Sequence, residues 1–200
     1  MKKLSLVIVL ALVLTGTAFS QAFQKGDKLL SIGVGAASYI HLGNNGYYSN
    51  YYYGGYYSRI AGVLTFQAEF GIHKYVGLGF SVGAGGTGGY GYWDPEIVAP
   101  ATILANCHFY QIIADKTGKN IHADKLDIYA GLNVGSGIGF FPESESLYPL
   151  LVVGPQAGVR YYFKPGVAVH GEFGYGKTIF NAGFTFKPGA GKKKAEPTSK

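Results

Sequence analysis

Long apolar runs are scarce in this chain. One lies at the start, Leu4 to Leu14, and no later stretch approaches the ~20 residues that a membrane helix needs. Cysteine is nearly absent: Cys107 alone excludes an internal disulfide, and its distance from the N-terminal region excludes a lipid-attachment site there. It reads as a small apolar residue on a strand. Charged residues make up only 14% of the sequence, against about 25% in ordinary globular domains. The excess of glycine (32) and tyrosine (17) takes their place. Flexible linkers are glycine-rich too, but they lack this aliphatic and aromatic content.

The net charge of +6 is held at the ends. Lys2 and Lys3 precede the first apolar run, and Lys187, Lys192, Lys193, Lys194 and Lys200 face Glu196 alone. Between Gln21 and Phe186 acids and bases balance, so a basic face for nucleic acid is not expected. Lys2 and Lys3, the apolar run and the small residues Ala18 and Ser20 have the order of a secretory signal, with cleavage expected before Gln21. Residues 187–200 are expected to be a basic, disordered tail. The domain proper is then 21–186.

Within it, apolar residues alternate with small or polar ones at period two, the signature of strands. Leu30, Ile32, Val34 and Ala36 oppose Ser31, Gly33, Gly35 and Ala37. Leu64, Phe66, Ala68, Phe70 and Ile72 oppose Thr65, Gln67, Glu69 and Gly71. Segments following Tyr75, from Ile103 to Tyr110, from Leu126 to Ile138, from Leu151 to Phe163, from Val167 to Tyr175 and from Phe180 to Phe186 repeat the pattern. Each has roughly the length that crosses a bilayer as a tilted strand. The apolar parity carries almost no charge, whereas Glu69, Asp127, Arg160 and Glu172 stand singly among small residues on the other. A water-soluble barrel would turn its apolar face inward, and the second face would make a poor solvent surface. A membrane barrel turns the apolar face to lipid.

Tight turns are expected at Ile72 to Val76 and Phe163 to Val167, with a longer one at Ala114 to Lys125. Long connections are expected at His41 to Arg59, Gly86 to Ala99 and Phe140 to Pro149, and a short one at Gly176 to Thr178. Trp93, Tyr110, Tyr161, Phe163, Tyr175 and Phe186 near the strand ends suit an interfacial girdle. Together with the export signal and the aromatic final strand Asn181 to Phe186, these features resemble the small outer-membrane barrels of the OmpA/OmpX type. The resemblance implies an all-β, eight-stranded antiparallel transmembrane up-and-down β-barrel in the bacterial outer membrane. Its partners would be outer-membrane lipid and lipopolysaccharide, with the barrel-assembly machinery during insertion. The tail after Phe186 departs from the family, whose members often stop at the final aromatic.

Chemistry-bearing residues are few. Arg160, His170 and Glu172, with Glu69, are expected to form a structural polar cluster in the lumen, with His170 opposite Arg160 across the Lys164-to-Gly166 turn. His41, His73 and His122 lie in separate loops and give no metal-ligand spacing. No cofactor motif is present, since the glycine run Gly83 to Gly91 lacks the lysine and helix of a phosphate loop. Ser136 is the only hydroxyl at a lipid-facing mid-strand position, and it has no neighbouring histidine, so an outer-membrane lipid hydrolase ranks last and no enzyme is expected. Tyr47, Tyr48, Tyr51, Tyr52, Tyr53, Tyr56 and Tyr57 crowd the first long loop. Such rings suit contact with an extracellular surface or protein. The expected role is therefore structural or interactive, through Tyr/Gly-rich external loops. A narrow barrel binding or passing a small apolar ligand is the alternative, because inward glycines on the first, third and fifth strands could leave space.

Overall fold

The computed structural model of the protein describes residues 22–42, 58–87, 95–118 and 121–190. Eight strands occupy most of them: β1 (Lys28–His41), β2 (Ser58–His73), β3 (Val76–Thr87), β4 (Glu96–Cys107), β5 (Leu126–Phe141), β6 (Ser146–Lys164), β7 (Val167–Gly174) and β8 (Phe180–Phe186). One helix, α1 (Phe109–Thr117), stands between β4 and β5. Each strand pairs antiparallel with the next, and β8 closes on β1.

The period-two reading fixes which way each residue points. Ile103, Leu132, Phe66, Phe80 and Phe173 all lie on the outer surface, Leu132 at 66% exposure. Their neighbours Thr102, Asn133, Gln67, Ser81 and Glu172 are buried in the lumen. Cross-strand registers line the outer side chains into rows, Ile32 standing between Phe66 and Phe184. Phe173 and Phe180 pack with ring centroids 5.2 Å apart. Such a belt is stable only where the surroundings are themselves apolar. Cys107 belongs to it, exposed at the end of β4.

Four expectations about the strands and their connections need correction. β4 begins at Glu96 and pairs back through Ile97 and Val98 to Gly86 and Gly85, so the connection after β3 is shorter than Gly86 to Ala99. β5 and β6 run on past Phe140 and Pro149 to a turn at residues 142–145, because Phe141, Tyr148 and Leu150 have an interior to fill. The fourth strand stops at Cys107, and Phe109 and Tyr110, read as its continuation, open α1. There the apolar spacing changes from two to the four of Phe109 and Ile113.

The fourth correction concerns length. β7 and β8 have only 8 and 7 residues. At ~3.3 Å per residue and ~45° tilt, eight residues rise about 19 Å, short of the ~25 Å lipid band. Above this short hairpin β1 turns away from β8 and pairs with β6, Ile40 with Leu151 and His41 with Leu150. Leu42 extends the contact by donating to the Pro149 carbonyl at 2.9 Å. The eight-stranded barrel therefore narrows at one end to a neck walled by β1 to β6. Segment 175–179 seals the step, with Tyr175 donating to Pro155 and Ile179 donating to Ala36.

Candidate functional site

Among the described residues, charged side chains gather out of contact with water chiefly in the lumen, and three layers fill it. Glu69 at the end of β2, His108 after β4, Asp127 at the start of β5 and Arg160 late on β6 meet at the end that carries α1. Arg160 reaches Glu69 Oε2 through Nη2 at 2.5 Å and Asp127 Oδ2 through Nη1 at 3.1 Å. His108 faces Glu69 Oε1 and Asp127 Oδ1, both at 2.8 Å. With carboxylate oxygens on both sides, the imidazole closes the charge balance when each nitrogen carries a proton: two carboxylates against a guanidinium and an imidazolium. Tyr129 lies under the guanidinium, 4.1 Å from its ring centroid to Cζ.

The middle layer centres on Glu172. It accepts from the Tyr129 hydroxyl and from Lys177 Nζ, each at 2.6 Å, and Lys177 also donates to Gln67 at 2.5 Å. His170 does stand opposite Arg160 in register. It bonds instead to Asn181 at 3.2 Å and Thr185 at 3.1 Å, because the Arg160 side chain extends toward β2 and β5. The four residues expected as one cluster thus divide: Glu69 and Arg160 touch, whereas Glu172 and His170 find other partners. Asp127, His108 and Tyr129 complete the first group. Lys177 falls in the connection read as a plain turn at Gly176 to Thr178, and the sequence pattern does not place it in the lumen. A lone lysine among the glycine and threonine of a short loop was its only signal.

The third layer, in the neck, is mainly apolar, with the Glu96 carboxylate buried at its side. Ala37, Tyr39, Ala61, Val63, Val98, Phe141, Tyr148, Leu150 and Val152 pack together inside. Phe141 and Tyr148 stack at 4.8 Å, and the Tyr148 hydroxyl donates to Glu96.

At three inward glycines, one each on β1, β3 and β5, the space is already taken by a neighbouring side chain. A side chain at Gly77 would strike the Glu69 carboxyl, one at Gly33 the Asn181 amide, and one at Gly139 the Tyr148 ring. Glycine is used at these positions so that a neighbour can lie flat across the wall.

Residues 22–27 cross the α1 end of the barrel. Phe23 is fully buried against His108, Gly26 donates to Gly71 O at 2.7 Å, and Gly71 donates to Asp27 O at 2.9 Å. Asp27 is paired with Lys187 at 2.6 Å, which ties both ends of the domain together. On α1, burial pushes the Asp115 carboxyl up, but hydrogen bonds from Gln111 and Tyr75 and the charge of Lys74 outweigh it and hold it below the ordinary carboxylate range. Tyr110 donates to Ile121 O at 2.6 Å. Ser136 on the outer face donates to Leu150 O at 2.8 Å. Among the described residues no group of His, Cys, Asp and Glu has metal-binding geometry. Trp93 and the tyrosines from Tyr47 to Tyr57 lie outside the described residues, as does Lys194 with the rest of the tail beyond Ala190.

No family model and no curated protein matches the sequence. Solved structures similar in fold include Ail, the attachment invasion locus protein of Yersinia pestis. It has 13% identity and a TM-score of 0.44 over 82% of this chain and 100% of that one. The outer membrane protein OprG from Pseudomonas aeruginosa gives 14% and 0.49 over 82% and 97%. The outer membrane protein AlkL in DMPC bilayers gives 17% and 0.42 over 86% and 92%. On its own geometry, eight antiparallel strands closed into a ring with the apolar parity outward, the chain has the fold of a small outer-membrane β-barrel.

Proposed function

We propose that this protein is a non-conducting barrel of the bacterial outer membrane, an anchor whose work is done by the surface it holds outside the cell. The observation that carries the reading is the neck. An eight-stranded barrel is only wide enough for side chains. Here the wall narrows further where β1 meets β6, and the interior there is filled with Tyr39, Tyr148, Leu150 and their neighbours. A molecule entering from the α1 end would also meet Phe23 and the Glu69–Arg160 cluster.

In this reading Val76 to Thr87 and its neighbours cross the membrane, the short turns face the periplasm, and the loop of residues 43–57 faces outward. The tyrosines Tyr47 to Tyr57 supply the contact surface for an external partner or for lipopolysaccharide. The reading gives the barrel no catalytic role. Ser136, the lipid-facing hydroxyl, is engaged with a backbone carbonyl, and among the described residues no base is bonded to it. The test is deletion of residues 45–57 in whole cells, after the unheated gel shift has confirmed a folded barrel. Loss of adhesion to at least one surface is the expected result. Adhesion unchanged on every surface tried would remove the tyrosine loop from the function.

A further inference from the structure

The end of the barrel that carries α1 is ringed by lysines. Lys25 in the segment before β1, Lys28 at the start of β1, Lys74 between β2 and β3, Lys116 on α1 and Lys164 at the end of β6 are all exposed. Among exposed acids at this rim, Asp115 faces Lys74 at 3.6 Å. At the other end, the exposed charges of the 142–145 turn are Glu143 and Glu145. Among the described residues the two rims thus differ in sign.

The lysines are also placed where lipid headgroups would be. Lys28 has the outward parity of Leu30, Ile32 and Val34, so it continues the lipid-facing row of β1 into the interface. Helix α1 does the same for β4. Its Phe109 (37% exposed) follows the outward row Ile103, Ala105 and Cys107, and Ile113 (46%) stands one turn on. Lys116 follows on the same side, three residues further along the helix. Two exposed apolar residues ending in a lysine make the stripe of a helix lying in an interface. On the same wall a shallow groove of about 390 Å³ opens outward, lined by Leu78, Ile103, Ala105, Leu132 and Val134. Its floor is low because Ala105 sits among larger side chains.

We propose that this rim is a binding surface for anionic phospholipid. The headgroup phosphate is met by Lys74 and Lys116, Phe109 and Ile113 sit at the carbonyl level, and an acyl chain runs along the Ala105 groove. The inference rests on the spanning reading given above. An acidic periplasmic protein would also suit the lysines, but it would not account for an apolar stripe continuous with the lipid-facing strands.

The test uses full-length protein carrying Trp93→Phe and Phe109→Trp, folded into vesicles of phosphatidylcholine with one-fifth phosphatidylglycerol. In parallel samples one or the other lipid bears bromines near its headgroup. The gel shift is checked first. The inference expects brominated phosphatidylglycerol to quench the new indole at least twofold beyond its share of the lipid. Lys74→Gln with Lys116→Gln should remove that excess and leave quenching by phosphatidylcholine. Quenching in proportion to composition overturns the anion preference. An indole quenched by aqueous acrylamide and by neither lipid overturns the interfacial placement and leaves the protein partner. Failure to gain a heat-sensitive gel shift in any vesicle overturns the spanning reading itself, unless Ile113→Trp in place of Phe109→Trp restores folding and takes over as the reporter.

Discussion

The Phe23 ring lies flat on the His108 imidazole, with centroids 3.3 Å apart and planes 6° from parallel. Phe23 belongs to no strand. It arrives from the segment before β1, and His108 from the break between β4 and α1, so the contact closes the barrel floor with residues that the wall does not supply. Replacing Phe23 with Ala should lower stability by about 3 kcal/mol, the cost typical of deleting a buried aromatic ring. The urea midpoint in detergent micelles, followed by the gel shift, measures it. An unchanged midpoint would mean that the segment rests on the barrel without sealing it.

Lys177 and Glu172 give a sharper contrast. The pair is fully inside the lumen, at 2.6 Å. Lys177→Met leaves the Glu172 carboxylate with only the Tyr129 hydroxyl, so the single change should cost about 3–5 kcal/mol. Adding Glu172→Gln removes the stranded charge, and the double variant should recover to within about 2 kcal/mol of the parent. If the second substitution recovers nothing, the lysine acts through the shape of segment 175–179 and not through its charge.

The direction of every outer row was legible, because period two does not depend on distant partners. Glu69, Asp127, Arg160 and Glu172 were likewise placed inside by parity alone. Their pairing was not. Which carboxylate meets Arg160 depends on where the long guanidinium stem runs across the lumen, and register on β6 and β7 suggests His170, which it bypasses. The neck was invisible for a different reason. It exists because β7 and β8 are short, so that β1 and β6 meet above them, and a strand's end is the least marked feature of an alternating pattern. Phe141 and Tyr148 then looked like loop residues, when with Leu150 they fill an interior that the sequence alone does not announce.

The neck makes the last prediction. In planar bilayers the wild-type protein should give no steady current. Deleting residues 45–57 should not change this, because the seal is formed by β1 and β6 and by the side chains between them. Tyr39→Ala with Leu150→Ala removes two of the largest buried groups of the neck and leaves the backbone pairing of Ile40 with Leu151. That variant should still show the gel shift and should pass brief current steps as water enters the emptied core. Large, steady conductance from the wild type would refute the closed neck. Conductance that appears only after the loop deletion would move the seal from the neck to the loop. A silent double variant that still folds would place the barrier lower, at the Glu69–Arg160 layer and Phe23.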